Sequence, residues 1–288
     1  MTIMKKVLVT GATGFIGNYV INELLDKGHK VVATSTSSEK AKLKLWYDKV
    51  EFIQYDLRNV SSASNLCNFF NKPDMLIHLA WEGLPNYKSD FHLEENLPRH
   101  YIFLKNLVQH GLRDLTITGT CFEYGMQEGC LSEDLPSMPS NSYAMAKSNL
   151  RLLLTELKED NPFKLKWVRL FYMYGKGQSP NSLFSQLDKA LENNEQVFNM
   201  SGGEQIRDFL PVEKLAEYIV AIAMQESVTG IINCCSGIPV TVKQFVQNYL
   251  ENKNRSVQLN FGYYPYAEYE PMSFWGDDEK LKSILNRV

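Results

Sequence analysis

Val7-Leu8-Val9-Thr10-Gly11-Ala12-Thr13-Gly14-Phe15-Ile16-Gly17 is the stretch that decides the fold of this 288-residue chain. A short apolar run, Lys6–Thr10, enters glycines spaced G-x-x-G-x-x-G, and an amphipathic stretch follows at Phe15–Lys27. Strand, glycine turn and helix in that order allow a tight turn, close approach of the backbone to a pyrophosphate, and a helix N-terminus aimed at the anion. Gly11, Thr13, Gly14, Phe15, Ile16 and Gly17 are therefore candidate dinucleotide contacts. A glycine-rich turn alone is a common local feature; its place directly after the first strand gives the motif weight.

Downstream, short β-branched runs keep alternating with longer amphipathic ones. Strands are predicted at Lys30–Thr34, Val50–Gln54, Met75–Leu79, Leu115–Thr118 and Leu165–Leu170, and helices at Leu93–His110 and Tyr143–Glu159. Such alternation builds βα units, so the fold class is α/β, a Rossmann-type doubly wound parallel sheet. After Tyr172 the order loosens, with helices predicted at Ser182–Asn193, Val212–Gln225, Val242–Glu251 and Asp278–Asn286 and a strand at Gly230–Asn233. Residues 1–171 are expected to be mainly a dinucleotide-binding domain and 172–288 mainly a smaller C-terminal substrate-binding lobe, with about 209–235 returning to the first domain. The Pro- and aromatic-rich Phe261–Trp275 fits a segment that wraps a ligand.

Lys and Arg number 30 against 33 Asp and Glu, a net charge of −3. No basic footprint is present, which argues against nucleic acid as a partner, and an anionic substrate must be held by a few placed groups. Cys67, Cys121, Cys130, Cys234 and Cys235 are odd in number and include an adjacent pair, a usage that fits a reducing, cytoplasmic compartment rather than a disulfide framework. The opening Met1-Thr2-Ile3-Met4-Lys5-Lys6 leads through three apolar residues into the glycine motif, which reads as a buried strand rather than a signal peptide. No run approaches the roughly 18 apolar residues of a membrane span. The histidines show no metal-ligand spacing, and no metal is expected.

The segment after the second strand is Ala33-Thr34-Ser35-Thr36-Ser37-Ser38-Glu39-Lys40. Enzymes that select NAD usually place an acid there, which would repel a 2′-phosphate. Ser35, Thr36 and Lys40 stand in its place and favour NADP(H), against the simpler reading of a polar loop. Asp56, after the third strand, suits either the adenine amino group or the cap of a turn. Tyr143 and Lys147 are four apart at the start of a helix, behind Ser140-Asn141-Ser142, so the ammonium is expected near the phenol, lowering its pKa. Tyr101/Lys105 and Tyr172/Lys176 share the spacing but not the position. Thr120 ends the preceding strand; it suits a hydrogen bond to the substrate oxygen on which Tyr143 acts, or simply the closing of a turn.

These residues together resemble the extended short-chain dehydrogenase/reductase family, the NAD-dependent epimerase/dehydratase group. The resemblance covers nearly the whole length, through Thr10–Gly17, Asp56-Leu57-Arg58, His78-Leu79-Ala80, Asn96, Thr120–Gly125, Tyr143/Lys147, Arg169–Gly175 and Gly203–Phe209. It implies Thr120, Tyr143 and Lys147 as the catalytic set, and Asp56, Leu57, Leu79 and Ala80 as cofactor contacts beside the glycine loop. It also implies Asn181, Leu183 and Arg207, with Tyr172, as contacts to a nucleotide-diphosphate sugar.

Departures from the family pattern narrow the chemistry. Its dehydratases carry Asp-Glu after the catalytic threonine, because eliminating water needs an extra acid and base; here Cys121-Phe122 follow. The expected activity is NADPH-dependent reduction of a nucleotide-linked 4-keto-6-deoxy sugar, the alternatives being an NAD-dependent 4-epimerase and a non-catalytic NADP-sensing regulator. A homodimer is expected through the helices at Leu93–His110 and Tyr143–Glu159, where Leu97, Tyr101, Leu104 and Val108 recur at near-helical spacing.

Overall fold

The computed structural model describes residues 4–60 and 64–286. The first three residues of the expected N-terminal strand region therefore lie outside the described ones. In the first half of the chain, strands β1 (Lys6–Thr10), β2 (Lys30–Ser35), β3 (Glu51–Gln54), β4 (Met75–His78) and β5 (Asp114–Thr120) alternate with helices α1 (Phe15–Asp26), α2 (Ser38–Lys42), α3 (Leu66–Phe69) and α4 (Leu97–Gln109). Then come β6 (Gly129–Leu131), α5 (Ser142–Asp160), β7 (Lys164–Leu170), β8 (Tyr172–Tyr174), α6 (Leu183–Glu192), β9 (Val197–Asn199) and β10 (Ile206–Pro211). The chain closes with α7 (Val212–Met224), β11 (Gly230–Cys234), β12 (Pro239–Thr241), α8 (Val242–Asn252), β13 (Gln258–Asn260), β14 (Phe274–Gly276) and α9 (Glu279–Leu285).

Seven strands form one parallel sheet in the order β11-β7-β5-β4-β1-β2-β3. Its central strands are covered on both faces, which is why β1, β4 and β5 read as almost unbroken apolar or β-branched runs. On one face α1, α7 and α9 pack through Val20, Leu24, Leu215, Ile219 and Leu281. On the other, α4 and α5 pack through Phe103, Leu104, Leu107, Leu150 and Leu154. Chain order reverses between β1 and β4, so their carboxyl ends splay apart into a crevice.

The last third builds a second, smaller body beside that crevice. Strands β8, β10 and β12 make a three-stranded sheet, and β9 pairs with β13. Helices α6 and α8 close over them through Phe184, Leu187, Val246 and Leu250, with Tyr174 and Phe209 packed against this cluster. These short strands escape sequence reading because three residues are too few to show a period.

One expectation is corrected here. Leu104 and Val108 are fully buried under the sheet, and Leu97 and Tyr101 pack against the same core; at period 3.6 they are the inward stripe of α4. The apolar residues that α4 and α5 present outward are Ile102, Met145, Leu152 and Leu153.

Candidate active site

Two cavities meet at the glycine loop. The first, about 220 Å³, is lined by Thr10, Gly11, Thr13 and Gly14, by Ser35 and Thr36 at the end of β2, by Asp56, Leu57 and Arg58, by Leu79 and Ala80 after β4, and by Asn96, Arg99 and His100 at the start of α4. The second, about 450 Å³, runs from Gly11, Phe15, Ile16 and Gly17 to Thr120, Tyr143, Lys147 and Tyr172; none of the described residues lining it is acidic.

The loop itself fits a dinucleotide. Gly11 has φ +68°, and a Cβ there would come within 2.9 Å of Ala80 N. A Cβ at Gly17 would overlap Gly11 O. Backbone thus closes on backbone, and α1 starts at Gly14 with no side chain capping it and no acid in its first turn, so its first N–H groups are free for an anion.

Around the second cavity, β5 and α5 deliver the expected catalytic set. Asn141 caps α5 by accepting from Ala144 N at 2.9 Å, which starts the helix so that Tyr143 and Lys147 face the cavity together. Thr120 ends β5, and its hydroxyl accepts from Phe122 N at 3.3 Å, so it does close the turn. Burial, with the Tyr87 and Glu123 charges, holds the Tyr143 phenol above its ordinary range, and the Thr120 side chain counters this only in part.

The expected pairing of ammonium with phenol is not the arrangement found. Lys147 Nζ donates to Thr118 O at 2.9 Å and sits 4.0 Å over the Trp81 ring. Burial lowers its pKa to about 7, partly countered by the negative charge of Glu123. The indole face and a carbonyl, rather than the phenolic oxygen, hold the cation because both lie on the buried side of α5.

Glu123 is fully buried behind this set. It accepts from Thr120 N and Trp167 Nε1, each at 2.9 Å, and from Arg169 Nε at 3.1 Å. Thr120 and Glu123 thereby form a reciprocal capping box, a T-x-x-E pattern visible in the sequence. Trp81 follows the His78-Leu79-Ala80 turn and stands between the two cavities. Sequence reasoning passed over both.

The remaining expected residues divide between the cavities, where Asp56 and Tyr172 stand, and positions outside them. Asp56 caps the turn 57–59 and is chelated by Arg58, which holds its carboxyl below the usual range. Lys40 lies on α2, with its N–H on Ser37 Oγ, and is not among the cavity-lining residues. Asn181 is exposed, its carbonyl accepting from Gln186, and Leu183 packs into the α6–α8 cluster; neither lines the cavities, because the chain turns into α6 just beyond Ser179. Arg207 is buried, lines neither cavity and donates to Glu270 Oε2 at 2.9 Å and to the carbonyls of Ile206 and Met272, while Tyr172 OH donates to the same Glu270 carboxylate. Nothing in the sequence singles out Glu270, which reaches them from the loop before β14.

The NAD dependent epimerase/dehydratase family model matches residues 7–235. The chain belongs to that family. It is accordingly an NAD(P)-dependent enzyme of the extended short-chain dehydrogenase/reductase type. A dTDP-6-deoxy-L-talose 4-dehydrogenase (NAD(+)) from Aggregatibacter actinomycetemcomitans is 31% identical, covering 94% of this chain and 99% of its own. A GDP-6-deoxy-D-talose 4-dehydrogenase from the same organism is 27% identical, covering 97% and 91%. The solved structure of MoeE5 in complex with UDP-glucose and NAD superposes with a TM-score of 0.81 at 25% identity, covering 98% and 92%. Among the described residues no helix is long and apolar enough to cross a membrane, and no cluster of His, Cys, Asp or Glu could hold a metal ion.

Proposed function

We propose that this chain reduces the 4-keto group of a nucleotide-linked 6-deoxyhexose, with NADP(H) as the preferred cofactor. The observation that carries this reading is the second cavity: Thr120, Tyr143 and Lys147 meet the glycine loop there, and no acid lines it. That set suffices for one proton on one oxygen and lacks the additional acid and base that elimination needs. The two relatives named as 4-dehydrogenases of 6-deoxytalose nucleotides support the same bond, run in the other direction.

In this reading residues 1–171 mainly hold the dinucleotide and 172–288 mainly the sugar nucleotide, with about 209–235 serving the first body. A bound nicotinamide supplies the hydride. Tyr143 gives its phenolic proton to the C4 oxygen and Thr120 hydrogen-bonds that oxygen, while Lys147, held by Thr118 O and the Trp81 ring, lines the same cavity. Arg207 takes the diphosphate as a charge-assisted donor by exchanging Glu270 for it.

The preference for NADP(H) rests on Ser35 and Thr36, which line the first cavity where a carboxylate would face the ribose. The nearby acid, Glu39, is turned back onto the Ser37 and Ser38 hydroxyls. The NAD bound by MoeE5 and named for the first relative supports NAD instead. Dissociation constants for the two cofactors decide between them, and Ser35→Asp should move the ratio toward NAD by adding a charge against the 2′-phosphate.

The deciding experiment incubates the protein with NADPH and dTDP-, CDP-, GDP- and UDP-linked 4-keto-6-deoxy sugars, following absorbance loss and identifying the product. Conversion of a 4-hydroxy sugar to its epimer with no net cofactor consumption would establish the 4-epimerase instead. Tight binding without turnover would establish the regulator. A homodimer through Ile102, Met145, Leu152 and Leu153 completes the proposal; Leu152→Arg should then give a monomeric mass by light scattering.

A further inference from the structure

A buried hydrogen-bond chain runs from β1 to the first cavity. Thr10 Oγ accepts from the N–H groups of Leu79 and Ala80 at 3.2 and 3.3 Å. Its two acceptor sites are then used, and its hydrogen goes to His78 Nδ1 at 2.8 Å. A neutral imidazole that accepts at Nδ1 carries its proton on Nε2. His78 Nε2 lies 2.7 Å from His100 Nδ1, so His100 also accepts at Nδ1 and carries its proton on Nε2. Burial and the Lys147 charge keep both rings neutral.

His100 is 3% exposed and lies nearly parallel to Trp81, ring centroids 4.5 Å apart. It lines the first cavity, yet its Nε2–H meets no acceptor among the described residues. Thr10 and His78 set the tautomer, and His100 itself is one of the residues that line the first cavity. Because His100 lines the cavity, a ligand acceptor there can take the Nε2–H in place of water.

We infer that His100 is a binding residue for the adenosine half of the dinucleotide, its Nε2–H donating to an adenine or ribose acceptor in the first cavity. The assignment rests on the dinucleotide reading of the glycine loop. It makes Thr10 and His78 positioning residues, which set the tautomer through the hydrogen-bond chain.

The test uses the full chain with ADP, which has no nicotinamide, and with nicotinamide mononucleotide as control. His100→Phe keeps a ring against Trp81 and removes the donor, so the ADP dissociation constant should rise about three- to tenfold while that of the mononucleotide stays put. Nitrogen-15 NMR of the wild-type protein needs no variant. It should show His100 protonated on Nε2, with that resonance moving when ADP is added. Unchanged ADP affinity in a folded His100→Phe, a His100 protonated on Nδ1, or an Nε2 resonance indifferent to ADP would each overturn the assignment. No ADP binding by the wild type would instead overturn the dinucleotide reading and this inference with it.

Discussion

The two ends of the cleft are built from different material. At the glycine-loop end, main chain does the work: Gly11 against Ala80, Gly17 against Gly11, and the open N-terminus of α1. At the Tyr172 end, side chains from distant segments do it, with Tyr172 from β8 and Arg207 from β10 meeting on Glu270 from the loop before β14. Backbone geometry tolerates almost no variation, so the first end keeps one shape for one ligand class. Side-chain clusters can be exchanged without disturbing the sheet, so the second end is where one fold can change its sugar.

The sharpest way to break this contrast is Tyr143→Phe. It should lower turnover roughly 10²–10⁴-fold and leave dinucleotide affinity, measured by titration calorimetry, unchanged; Tyr101→Phe, whose ring packs against the core beneath α4, should be nearly silent. If Tyr143→Phe kept wild-type turnover while Tyr172→Phe abolished it, proton transfer would belong to the lobe and the division of labour would fail.

Arg207→Ala should raise the sugar-nucleotide KM roughly tenfold to a hundredfold, again without moving the cofactor constant. Loss of cofactor binding in that variant would show the two ends to be one unit. Gly17→Ala is the converse. Its Cβ must displace backbone, at roughly 1–3 kcal/mol of stability, and dinucleotide affinity should fall. A variant that unfolded at the wild-type urea midpoint and bound dinucleotide normally would refute the backbone account.

The smallest effect is a pH slope. Lys147 releases its proton near pH 7 in the folded chain against an ordinary value of 10.5. Between those limits the unfolded state binds more protons, so the unfolding free energy gains from this group as pH rises and loses as it falls toward 7. Urea midpoints from about pH 6 to about pH 9 should show that slope flattened in Lys147→Met. Equal slopes in both proteins would place the cation in water rather than against Trp81.

Legibility in the sequence follows the same division. The strand–glycine–helix start was readable because period and glycine spacing are local properties, and β1 begins and ends where the pattern places it. Tyr143 and Lys147 were readable as a pair because helix geometry puts them on one face. What holds Lys147 was not, since Thr118 and Trp81 lie on other elements. The dimer face was misassigned because a periodic apolar stripe shows that a face is buried without showing what buries it.

The amino-acid sequence by itself determined the parallel sheet, the strand–glycine–helix loop and the shared helix face of Tyr143 and Lys147, because each is written in neighbours within a turn or a strand of one another. Tertiary structure alone decided that Glu270 stands on Arg207, that Lys147 rests on Trp81, and that His78 bonds His100 beside the first cavity. Those contacts join residues 22 to 66 positions apart, and their partners are set only when packing against the sheet places the elements that carry them.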